Sequence, residues 1–157
     1  MKKILVLLII ILGVAADQFV KFWTVKNIPL GDSIPFIKNI LSLTHLQNTG
    51  AAWSMFEGKQ WFFTIITAIA LVVGTYYLVK NINKNNGISY SIALIIAGTL
   101  GNFIDRVRLG YVVDMFQLDF INFPIFNVAD SFLTVGLILI YICIFREDSK
   151  KGKSKNK

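Results

Sequence analysis

Four long apolar runs, near residues 4–25, 61–79, 88–104 and 126–145, leave this chain little choice of environment. Each approaches the roughly 20 residues that a helix needs to cross about 30 Å of hydrocarbon. A chain that is 55% hydrophobic and only 16% charged also carries more apolar surface than one soluble core can bury. The pattern predicts an all-α membrane protein with four transmembrane helices, organised as a single domain over residues 1–157. The first run has a rival reading, because Lys2 and Lys3 before an apolar stretch ending in Val14, Ala15 and Ala16 also suit a cleavable signal peptide. Asp17 and Lys21 stand at helical ion-pair spacing and favour a helix that continues past that cut.

The net charge of +7 does not point to nucleic acid, since much of it lies in the tail REDSKKGKSKNK, residues 146–157. A lysine-rich tail behind an apolar helix suits a cytoplasmic end facing anionic membrane lipid. Lys2, Lys3, Lys80, Lys84 and the tail fall on one side of a four-span arrangement, which the positive-inside rule assigns to the cytoplasm together with both termini. Residues 26–60 and 105–125 then face outward, and Trp23, Trp53 and Trp61 lie near the outer boundary. Between the first and second spans, Pro29, Gly31 and Pro35 punctuate the chain and ILSLTHL (residues 40–46) alternates apolar with polar, which predicts a small extracytoplasmic β-sheet. His45 reads as a strand residue facing water. With one cysteine, Cys143, and one histidine, the chain has no disulfide framework and no zinc-ligand spacing, so neither metal nor cofactor is expected.

Polar groups in or beside a span are costly and need a partner or a task. Here they form five clusters: DQFVK from Asp17, QNTGAAW from Gln47, GNFIDR from Gly101, VVD from Val112 and FNVADS from Phe126. All five fall at the outer end of a span or just beyond it. Gly98, Asn102 and Asp105 share a helix face, and Ala93, Ala97 and Gly101 form a small-residue stripe beside it that suits close helix packing. Arg106 fits either an interfacial anchor or a site residue.

Asp114 and Asp130 bracket a connection short enough to bring both to one depth. Two carboxylates that meet share a proton and titrate as a unit, a device that hydrolyses a peptide bond through an activated water. Asn102, Asn127 and Arg106 are placed to orient the carboxylates or the substrate. Asp119, between the clusters, reads as a solvated loop residue. Ser54 and Ser131 lack a GxSxG elbow, and Cys143 lies deep in the last run as an inert thiol. A proton-coupled transporter or a non-catalytic assembly subunit would also keep carboxylates among helices.

In order and spacing, the clusters resemble those of the bacterial lipoprotein signal peptidases, or signal peptidase II, four-span aspartic proteases of the cytoplasmic membrane. The likeness runs from Asp17 to Ser131. It implies Asp114 and Asp130 as the catalytic pair, with Asn48, Gly50, Asn102, Arg106 and Asn127 binding or positioning the substrate, and Asp17, Lys21, Asp105 and Ala129 supporting them. Met115 stands where the family commonly has Phe, a change expected to alter local packing. The implied substrate is a diacylglyceryl-modified prolipoprotein, cut before its lipidated lipobox cysteine near the outer face of the membrane by a monomeric enzyme. The outer segment after the first span would rest on the membrane, and part of it would close over the substrate.

Overall fold

Each apolar run becomes one helix in the computed structural model, which describes residues 1–50, 60–83 and 86–155. The helices are α1 (Lys2–Asn27), α2 (Gln60–Asn81), α3 (Asn86–Leu109) and α4 (Val128–Lys155). All four are long and apolar enough to cross a membrane. In α3, 56% of the most apolar window is buried, against 17%, 6% and 11% in α1, α2 and α4, so α3 is the post around which the others pack. The small-residue stripe explains this: Ala93 and Ala97 are fully buried. A Cβ at Gly98 would overlap the Ala129 carbonyl, and one at Gly101 would lie 2.5 Å from Asp17 Oδ2. Glycine at these two positions lets α4 and α1 approach the α3 backbone.

Apolar packing and polar packing divide the bundle between its ends. Val6, Leu78, Ile92, Ala93 and Ile96 form the hydrophobic cluster toward the end that carries Lys2 and Lys80. The buried charged residues Asp17, Lys21, Asp105 and Asp114, with Asn102 and Asn127, lie toward the opposite end, while Ser89 and Ser91 are buried at the start of α3. Large apolar side chains on the outer faces of α1, α2 and α4 remain exposed, as lipid-facing surfaces require.

The expected sheet is present, as β1 (Ser33–Ile37) and β2 (Leu41–Asn48), and it gains a third antiparallel strand, β3 (Val112–Leu118), in the order β1-β2-β3. β3 comes from the α3–α4 connection, where the sequence predicts a loop. Its first four residues are all buried, so the alternation that marks a half-buried strand is missing. The register of β2 on β3 shifts between Leu43 and Leu46, and this irregularity leaves Thr44 and His45 buried side by side. His45 therefore does not face water: it is 5% exposed and its Nδ1 lies 2.8 Å from the Ile28 carbonyl beyond α1.

Two helix boundaries also differ from expectation, those of α3 and α4, whereas α1 follows it. α1 runs unbroken through Ala16. α3 continues to Leu109, because the charges of Asp105 and Arg106 are accommodated inside the bundle rather than marking the span's edge. α4 begins at Val128, after a capping residue, and continues into the basic tail to Lys155. Cys143 is half-buried on α4. Trp53, Ser54 and Lys84 lie outside the described residues.

Candidate active site

The first turn of α4 is built by a local sequence rule. Asn127 is the capping residue: its Oδ1 accepts the Asp130 N–H at 2.9 Å, while Asp130 Oδ2 accepts the Asn127 N–H at 3.2 Å. This reciprocal pair is a capping box in which Asp130 takes the acidic position. The next open N–H of that turn, from Ala129, donates to Asp17 Oδ1 at 2.9 Å, so α1 supplies a second cap across the bundle. Just before the cap, Phe126 bridges to Phe116 of β3, and the two rings lie 5.5 Å apart. The helix start is thus fixed against the strand that carries Asp114.

Strand pairing positions the second carboxylate. Asp114 stands opposite Leu46, so Asn48, two residues along β2, is its diagonal neighbour on the same face. Asn48 Nδ2 donates to Asp114 Oδ2 at 2.9 Å, and Asn48 Oδ1 accepts the Gly50 N–H. Asn127 Nδ2 donates to Asp114 Oδ1 at 2.6 Å, and Asn102 Nδ2 donates to Asp130 Oδ1 at 2.7 Å. Each of the four oxygens of Asp114 and Asp130 therefore accepts one amide N–H. Asp114 is 1% exposed; burial first, and then the nearby Asp130 carboxylate, push its carboxyl up to about 7, against the opposing pull of the Asn48 and Asn127 bonds.

Behind this pair lies a charged cluster. Lys21 Nζ is 2.9 Å from Asp17 Oδ2, 3.0 Å from Asp105 Oδ2 and 2.9 Å from Asn102 Oδ1, and the lysine is 3% exposed. Asp105 Oδ2 also accepts the Val113 N–H at the start of β3. Gln18 extends the cluster, donating to Asp17, Asp105 and the Gly101 carbonyl. The expected shared face of Gly98, Asn102 and Asp105 is therefore present, and so is the Asp17–Lys21 ion pair. Gln18 was given no role from sequence, although a glutamine inside a span beside Asp17 is itself a signal.

Asp114 and Asp130 open on one cavity of about 540 Å³. Its polar wall includes Asn48, Gly50, Arg106, Ser131, Thr134 and the two aspartates; its apolar wall includes Leu118, Phe123, Ile125, Phe126 and Val135. Arg106 enters beside the aspartates, with its guanidinium 5.7 Å from the centre of the Phe63 ring. Its buried Nε has no hydrogen-bond partner among the described residues. Gln60, at the start of α2, reaches the Asn48 carbonyl at 3.4 Å, a link the sequence did not suggest. Asp119 is exposed, as expected of a loop carboxylate, and accepts a bond from Ser42. The combination of paired carboxylates, an unsatisfied guanidinium nitrogen and an amphipathic cavity suits hydrolysis of a peptide bond in a substrate that is partly apolar.

Comparison with known proteins agrees with this chemistry. Residues 9–146 match the family described as Signal peptidase (SPase) II. The chain is 54% identical to a lipoprotein signal peptidase of Lactococcus lactis subsp. lactis over 151 residues, covering 96% of this chain and 100% of that one. It is 53% identical to the lipoprotein signal peptidase of Enterococcus faecalis, covering 99% and 98%. Among solved structures, a bacterial membrane enzyme determined by the in meso method superposes with a TM-score of 0.86 at 41% identity, covering 93% of this chain and 90% of the other. The transporter reading gains no support from these matches, and the carboxylates gather at one end of the bundle rather than at mid-span.

Proposed function

Because the chain belongs to the signal peptidase II family, we propose that Asp114 and Asp130 are the catalytic pair with which it cuts its substrates as an aspartic endopeptidase. The protein is a multi-pass membrane peptidase that removes signal peptides from prolipoproteins. The observation that carries the catalytic assignment is that both carboxylates line one cavity while all four of their oxygens are held by amide N–H groups. Such holding leaves lone pairs for a shared proton and a water, and costs no reorganisation when charge moves.

Asp114, pushed up to about 7, holds the shared proton, and Asp130 is the base. A water gives its proton to Asp130 as its oxygen attacks the scissile carbonyl carbon, and Asp114 passes its proton to the carbonyl oxygen. Collapse of the resulting diol breaks the C–N bond: one diol proton returns to Asp114 and the Asp130 proton goes to the leaving amine, which restores a singly protonated pair. Asn48 and Arg106 hold the substrate backbone, Gly50 leaves room beside it, and Asn102 and Asn127 aim the carboxylates. Asp17, Lys21, Asp105 and Ala129 support them from behind.

The substrate in this reading is a diacylglyceryl-modified prolipoprotein cut before the lipidated cysteine, with its apolar part against the Phe123–Val135 wall of the cavity. The orientation is both termini in the cytoplasm and the site at the outer face, by the lysine bias of the α1 start and α2 end. The enzyme works as a monomer and a single domain in membrane lipid. Cleavage of a lipidated lipobox peptide by purified Asp114→Asn and Asp130→Asn enzymes tests the assignment. Each variant is expected to fold and to lose ~10³-fold or more in kcat; wild-type rates in either would remove the pair from the mechanism.

A further inference from the structure

The geometry points to Lys21 as a positioning residue that locks the Asn102 amide so that its NH2 group faces Asp130, an inference that rests on the catalytic pair proposed above.

A carboxamide has nearly the same shape whichever way it is turned, and its orientation is decided by its partners. An ammonium group only donates. Asn102 Oδ1 lies 2.9 Å from Lys21 Nζ, so Asn102 Nδ2 is turned the other way, 2.7 Å from Asp130 Oδ1. A reversed amide would set its NH2 against the ammonium and its oxygen against the carboxylate, two repulsive contacts in a buried site. The same Asn102 oxygen accepts Asn127 Nδ2 at 3.1 Å. Asn127 is itself fixed, since its Oδ1 accepts the Asp130 backbone N–H, and its Nδ2 continues to Asp114 Oδ1 at 2.6 Å. Two oriented amides thus connect one ammonium group to both carboxylates.

The ammonium has no freedom to drift from this post. Its three N–H donors meet three oxygens, those of Asp17, Asp105 and Asn102. Asp17 also accepts the Ala129 N–H and Asp105 the Val113 N–H, so the groups that hold Lys21 are bonded to α4 and β3, the elements that carry Asp130 and Asp114. A neutral donor such as glutamine could turn either end toward Asn102, and the lock would be lost. Lys21 is absent from the cavity lining, so it acts through Asn102 rather than on substrate.

The test uses the full-length enzyme in detergent, with steady-state cleavage of a diacylglyceryl-modified lipobox peptide, and reports kcat per folded protein. Lys21→Met is expected to lower kcat by ~100-fold with KM within about twofold, the usual consequence of misaligned reacting groups. Asn102→Asp keeps an acceptor for Lys21 and Asn127 but turns an oxygen toward Asp130, and it is expected to show the same split. The pH profile provides a second readout. Asp17 and Asp105 face Lys21 from α1 and α3, and Arg106 faces the pair from α3, so loss of the Lys21 charge leaves fewer cations there and moves the profile to higher pH. A purely structural lysine would lower the folded yield but leave kcat per folded enzyme and the profile unchanged, and that result in Lys21→Met overturns the inference. If Lys21→Met does not fold, Asn102→Asp decides, and wild-type kcat in that variant overturns it. Inactive Asp114→Asn and Asp130→Asn enzymes beside unaffected Lys21 and Asn102 variants would refute the lock alone, whereas active aspartate variants would refute the underlying pair.

Discussion

Two pairs of aspartates share one end of this bundle, and they are held in opposite ways. Asp17 and Asp105 meet at a lysine ammonium, and the only ion pairs formed among the described residues are these two. Asp114 and Asp130 receive neutral amide donors and face a cavity. Asp17 and Asp105 are committed to that ammonium and to the backbone N–H groups of Ala129 and Val113, and neither lines the cavity. Asp114 lines the cavity, and burial together with the nearby Asp130 carboxylate holds its carboxyl up to about 7, against the pull of its amide donors. In the proposed mechanism the two pairs therefore divide structure from chemistry, although the residue type is the same.

The comparison breaks most readily through Asp17. Asp17→Ala leaves Lys21 half-paired and the Ala129 N–H without its partner, at a cost of ~3–5 kcal/mol for breaking a buried ion pair. Thermal unfolding in detergent should show a large drop, in contrast to Asp130→Asn, which should unfold near the wild-type temperature while losing its activity. Asn127→Ala is expected next, with kcat lower by ~100-fold, because it removes the donor to Asp114 and half of the capping box; single-turnover cleavage measures it.

A subtler effect concerns pH. With Asp114 as the acid of the proposed mechanism, cleavage should fall as pH rises through about 7. Asn48 donates to its ionised form and pulls its carboxyl down. Asn48→Ala should therefore raise it further and move the falling limb of kcat/KM to higher pH, whereas a limb that stays in place would separate Asn48 from the titration. The smallest effect belongs to Asp119→Asn, which removes an exposed carboxylate bonded to Ser42 and should change kcat/KM by less than about twofold.

The sequence carried much of this division in advance. Asp17 and Lys21 stand four residues apart on one helix, and Gly98, Asn102 and Asp105 follow its turn, so helical periodicity alone brings each set to one face. The capping box is also local, since Asn127 and Asp130 have the spacing that closes it. His45 was misread because a register shift in β2 breaks the alternation on which its placement depended. β3 was missed because its buried start shows no alternation at all.

Four spans, their polar ends and their candidate aspartates were thus determined by chain-local quantities: the transfer free energy of each run, the turn of a helix and the rule for capping one. The meeting of Asp114 with Asn48, Asn127 and the cavity was decided by tertiary structure. It depends on which strand pairs with β2, and in what register. It depends equally on the close approach that Gly98 and Gly101 permit between α3, α4 and α1. These are contacts between residues far apart in the chain, whose energies exist only once the helices have packed, and no local pattern encodes their geometry.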